Sequence, residues 1–169
     1  MRSDRINFLA VVTATAGLMG FVGVFAKWFS YSYPVDGGVI TIYLAGTWDS
    51  TGSLAVAGGL GAMMFGCAYI LLTDAAIRRI SALLMVLSSI VLLLSSMFGF
   101  TRVAEAIGSS PLLLGAEGTT EFRATVAIGL GISLLSGILA TTASVLLVAR
   151  REAGSEYADS PGTRASATV

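Results

Sequence analysis

The chain has 169 residues, 55% hydrophobic and only 12% charged, with equal numbers of basic and acidic side chains and a formal net charge of zero. A soluble domain carries roughly 25% charged residues, so a mean hydropathy of +0.85 excludes a fully water-covered surface and predicts an integral membrane protein. The lack of His and the single Cys67 exclude His-ligated haem, a His-containing zinc site, an internal disulfide and a two-thiol relay, and a balanced charge with no basic run argues against nucleic-acid binding.

Four stretches, 6–26, 50–73, 80–101 and 124–149, are free of Asp, Glu, Lys and Arg. Each exceeds the ~20 residues that cross a ~30 Å hydrocarbon layer as helix. They predict transmembrane helices over about 6–28, 53–73, 79–100 and 122–149, forming an all-α four-helix bundle within residues 1–151. The first span carries Gly17, Gly20 and Gly23. Met1–Arg5 followed by Val24-Phe25-Ala26 also fits a signal peptide, but the apolar stretch is longer than a 7–15-residue h-region and reads as a membrane anchor.

The first connection, 29–52, holds Tyr31-Ser32-Tyr33-Pro34-Val35, then Asp36-Gly37-Gly38, then Val39-Ile40-Thr41-Ile42-Tyr43. An Asp-Gly turn between β-branched and aromatic runs predicts a small β-hairpin between the first and second helices. Trp28, Tyr31, Tyr33, Tyr43 and Trp48 cluster here, with Asp49 beside them. They suit either an interfacial aromatic belt or a partner-binding surface. Ser50 or Thr51 is positioned to cap the second helix, with Asp49 near its positive end.

In lipid, helices associate through close backbone approach and interhelical hydrogen bonds. The second span supplies Ala57, Gly58, Gly59, Gly61, Ala62 and Gly66, and the fourth supplies Gly129, Ser133 and Gly137 on one stripe. Gly58, Gly61, Gly66, Gly129, Ser133 and Gly137 are therefore the expected packing positions. The third span is Leu-rich, with Ser88, Ser89, Ser95 and Ser96, and is expected to show more surface to lipid. The second outer segment, 101–121, contains Gly108-Ser109-Ser110-Pro111 and the apolar triplet Leu112–Leu114. Residues 152–169, rich in Gly, Ser, Ala, Thr and charge, predict a flexible cytoplasmic tail.

Orientation follows from the cations. Arg2, Arg5, Arg78, Arg79, Arg150, Arg151 and Arg164 fall on one side, against Lys27, Arg102 and Arg123 on the other. The positive-inside rule puts both termini in the cytoplasm and the two longer connections outside. Arg78, Arg79, Arg150 and Arg151 are expected to anchor topology and attract anionic lipid headgroups. The Arg-over-Lys bias and compactness favour a prokaryotic plasma membrane.

Four spans, cytoplasmic termini, a β-containing first outer segment with Gly46-Thr47-Trp48, and Glu117-Gly118 ahead of the fourth span give a plan that resembles the claudin/PMP22-like tetraspan membrane proteins. The family's paired extracellular cysteines are missing, since Cys67 lies within the second span. The resemblance implies architecture only, not a tight-junction role.

The span cores carry no ionisable side chain of the kind that marks proton relays and ion paths, and no His stands ready to activate a hydroxyl nucleophile. No cofactor and no catalysis are expected. The leading expectation is a non-enzymatic accessory subunit or self-assembling scaffold, partnered by membrane lipids and by second copies or other membrane subunits. The alternative is a small oligomeric transporter or channel with a Ser/Thr-lined path. A lipid-modifying enzyme using Asp49 with Glu117 or Glu121 is a weaker third reading.

Overall fold

The computed structural model describes residues 2–35, 38–48, 50–113 and 123–158. Helix α1 (Arg2–Phe25) leads into strands β1 (Lys27–Val35) and β2 (Gly38–Ala45), then a 3-10 turn (Gly46–Trp48), α2 (Ser50–Leu71), α3 (Ala75–Leu113), β3 (Arg123–Val126) and α4 (Ile128–Ala158). All four helices contain a stretch long and apolar enough to cross a membrane. Each packs against two neighbours, α1 and α3 each lying against both α2 and α4, while the diagonal pairs barely touch. The result is an up-and-down bundle with the strands at one end and, at the other, the short connection 72–74 followed by Arg78 and Arg79 at the start of α3.

Glycines set how closely the helices approach. A Cβ on Gly59 of α2 would lie 2.8 Å from Phe21 N and 2.9 Å from Gly17 O of α1. One on Gly58 would lie 2.5 Å from Leu92 N of α3, and one on Gly61 would meet the Ser88 hydroxyl. Gly66 abuts Ala14, Gly137 of α4 abuts the Leu93 backbone, and Gly129 sits 2.7 Å by the same measure from Lys27 O. Ser133 is fully buried and its hydroxyl donates to Gly20 O at 3.4 Å, a hydrogen bond between α4 and α1.

Most other buried hydroxyls stay on their own helix. Thr13 donates to Leu9 O, Ser89 to Met85 O, Ser95 to Val91 O and Ser96 to Leu92 O. These i−4 bonds satisfy the hydroxyl where no water would reach it. They also let α3 turn Ser89 and Ser96 inward while Leu83 and Leu87 are exposed. The expected extra lipid exposure of the third span is not found. Its apolar window is as buried as those of α1 and α4.

Helix ends differ from the charge-bounded estimates. Helix α1 stops at Phe25, so Lys27 and Trp28 belong to β1. Residues 123–126, placed in the fourth span, form β3 instead, and α4 starts at Ile128. Helix α3 runs past residue 100 to Leu113, and α4 past residue 151 to Ala158. A charge ends an apolar stretch but not a helix, because Arg and Glu are good helix formers. Of the expected flexible tail, 152–158 is therefore helical and 159–169 lies outside the described residues.

Gly59→Ala forces a methyl group into backbone contact and is expected to cost about 1–3 kcal/mol. Gly131→Ala, where a Cβ meets nothing within 4 Å, is expected to be neutral or slightly stabilising. Paired thermal melts in detergent check the contrast.

Candidate functional site

The strand end is organised by a bulge. Lys27 pairs with Ala45 and Phe29 with Leu44, so Trp28 is the extra residue in β1. A bulge kinks the strand and re-aims a side chain, and here it accompanies an indole turned into the bundle. Trp28 is only 2% exposed and packs with Val24, Ala55, Leu92 and Leu130. Gly46 lies over one part of its ring and Gly99 of α3 over another; a Cβ at Gly99 would be 2.5 Å from Cζ3. Its Nε1–H donates to Gly23 O at 3.1 Å. That carbonyl also accepts from Ala26 N–H at 3.3 Å, so an open acceptor at the end of α1 is satisfied twice.

The assignment of Trp28 to a partner-binding surface is therefore corrected. The indole is enclosed by its own chain. Gly46 and Gly99, which make its slot, were not among the expected site residues. The only sequence signal for Gly99 is a small residue between Phe98 and Phe100 in an otherwise bulky run.

Beyond Trp28 the three strands form one antiparallel sheet in the order β2-β1-β3. Phe29 stands between Leu44 and Val126, Tyr31 between Ile42 and Ala124, and Tyr33 opposite Ile40. Directly opposed residues share a face of an antiparallel sheet, so Phe29, Ile40, Ile42, Leu44 and Val126 fall on one side of it. Ile40 and Ile42 are each 44% exposed and Val126 45%. The alternate rows pair Ser30 with Tyr43 and Thr125, and Ser32 with Thr41 and Arg123. Ser32 Oγ and Thr41 Oγ1 are 2.9 Å apart. Tyr43 is exposed, with Lys27 Nζ 3.5 Å from the centre of its ring, a cation–π contact. Trp48 closes the 3-10 turn. The Asp36-Gly37 turn and Asp49 lie outside the described residues, as do Glu117 and Glu121.

The opposite end is tied by arginines. Asp74 Oδ1 accepts from Ala76 N–H at 2.8 Å and Ile77 N–H at 3.0 Å, capping α3. Arg78 lies 4.5 Å from the centre of the Tyr69 ring on α2 and donates to Asn7 Oδ1 on α1 at 3.3 Å. Arg151 of α4 donates to Ala75 O of α3 at 3.2 Å. Arg79 and Arg150 are exposed. Below these arginines sits the second core cluster, Ala10, Tyr69, Ala82, Met85 and Leu147. Between α3 and α4 a groove of about 320 Å³ is lined by Arg79, Ala82, Leu83, Val148, Arg151 and Glu152.

Among the described residues, no group of three or more His, Cys, Asp or Glu side chains is placed to hold a metal ion. Cys67 is exposed on α2. No protein-family model matches the chain, and no curated protein matches it either.

In a Trp48→Phe protein the only indole is Trp28, and its emission should be short-wavelength and resistant to acrylamide. Long-wavelength, readily quenched emission would contradict the slot. Trp28→Ala should cost about 3–5 kcal/mol in unfolding free energy, as for other large buried aromatics.

Proposed function

We propose that the chain is a multi-pass protein of a prokaryotic plasma membrane, with both termini cytoplasmic. It works without catalysis, as an accessory subunit or a self-assembling scaffold. Four helices of sufficient length and apolarity support the membrane reading, and the concentration of arginines at the end opposite the sheet supports the orientation.

One observation carries the assembly reading: Ile40, Ile42 and Val126 are exposed on the sheet that packs at one end of the helices. Exposed apolar side chains on the helices face lipid when the bundle is in a bilayer. Those on the sheet have no such solvent, and an apolar patch in water marks an interaction surface. Strands β2 and β3 are the sheet edges, and an edge offers unpaired backbone groups to an added strand. Partner recognition therefore centres on Ile40, Ile42, Val126 and the β2 edge, with Tyr31, Tyr33 and the Trp48 turn beside it and Tyr43 on the opposite face of β2.

The test is the mass and polypeptide content of the particle extracted in mild detergent. The wild-type chain should run as an assembly larger than one 17.4 kDa chain with its detergent. An Ile40→Ser/Ile42→Ser double variant should fall to a single chain while its melting temperature holds. A single-chain wild-type particle would overturn assembly, and solute flux through proteoliposomes of the pure protein would favour the Ser/Thr-lined transporter reading instead.

A further inference from the structure

We propose that the groove between α3 and α4 at the arginine end is a binding site for one anionic phospholipid. The inference rests on the membrane reading above and goes beyond it, because it names a single site and a ligand class. The groove joins two chemistries. Arg79 and Arg151 line it with cationic groups, and Ala82, Leu83 and Val148 line it with apolar ones.

Arg151 is held in place by its Nη2 bond to Ala75 O at 3.2 Å, while its buried Nη1 has no hydrogen-bond partner. A buried cationic N–H without an acceptor is costly. A phosphodiester oxygen in the groove suits the guanidinium forks of Arg79 and Arg151 that line it. Glu152 also lines the groove, which leaves its formal charge at plus one, enough for a singly charged headgroup and unsuited to a multiply charged polyphosphate.

Depth decides for a lipid over free phosphate. The groove spans the points where the charge-free stretches of α3 and α4 meet their terminal arginines, Arg79 and Arg150. In a bilayer that level is the boundary between headgroups and acyl chains. Leu83, 64% exposed one turn from Arg79, offers an apolar wall along which an acyl chain can lie. The lipid would bridge α3 and α4 just beyond the Arg151–Ala75 bond.

Native mass spectrometry of the full chain in mild detergent, titrated with phosphatidylglycerol, phosphatidylcholine or inorganic phosphate, tests this. The expected result is one retained phosphatidylglycerol per chain, bound several-fold more tightly than phosphatidylcholine, with no adduct from phosphate alone. Arg79→Gln should weaken retention about fivefold, the worth of one surface charge near an anionic headgroup. Leu83→Trp should block it by filling the groove without changing charge, and Arg150→Gln, outside the lining, should leave it intact.

Equal retention of both lipids, equal loss in Arg79→Gln and Arg150→Gln, or binding of free phosphate would each overturn the proposal. A chain that washes from membranes in alkaline carbonate would overturn the membrane reading as well. A carbonate-resistant chain that retains no anionic lipid overturns only the lipid site.

Discussion

Backbone-to-backbone approach at glycine is the constraint on which the rest of this structure depends. Lipid tails are as apolar as the side chains of α1–α4, so in a bilayer no hydrophobic force drives the helices together. What remains is dispersion at short range and a few hydrogen bonds. Gly59 against Gly17 and Phe21, Gly58 against Leu92, Gly137 against Leu93 and Gly129 against Lys27 bring main chains within reach of each other. Ser133 adds a bond to Gly20 O across the same gap. Leucines and phenylalanines such as Phe8, Leu18, Leu83, Leu87, Phe98 and Leu135 then occupy the outer faces, where their bulk does not separate the helices.

Trp28 transmits that constraint to the sheet. Its slot exists because Gly46 and Gly99 leave space for the ring, and its Nε1–H donates to Gly23 O in the last turn of α1. Ala127 N–H donates to Trp28 O at 2.8 Å, which fixes the point where β3 turns into α4. One bulged residue thus joins α1, the hairpin, α3 and the entry to α4. At the opposite end Arg78 and Arg151 play the corresponding part, linking α1, α2, α3 and α4 through Asn7, Tyr69 and Ala75. Between these two ties the buried side chains among the described residues include no Asp, Glu, Lys or Arg.

The sequence made the helices legible because long apolar helices are a composition signal: four long stretches without Asp, Glu, Lys or Arg stand out in any reading. The β1–β2 strands were legible too, from the alternation around Asp36-Gly37. Helix ends were not. Arg102 and Arg150 stop the apolar stretch without stopping the helix, which continues to Leu113 and Ala158. Strand β3 was hidden because Arg123–Val126 acquires its conformation from pairing with Ser32–Phe29, almost a hundred residues earlier. Local propensity carries no trace of such a partner. Trp28 was misplaced for the same reason: its burial depends on Gly46 and Gly99, neither of which is its neighbour in the chain.

The most direct test of this account is the sidedness of its two ends. In a Cys67→Ala background, single cysteines at Thr41 on the sheet and at Arg150 on α4 are labelled with a membrane-impermeant thiol reagent in intact cells and after permeabilisation. The account predicts that position 41 labels in intact cells and that position 150 labels only once the membrane is opened. Labelling of both positions in intact cells, or the reverse pattern, would contradict it.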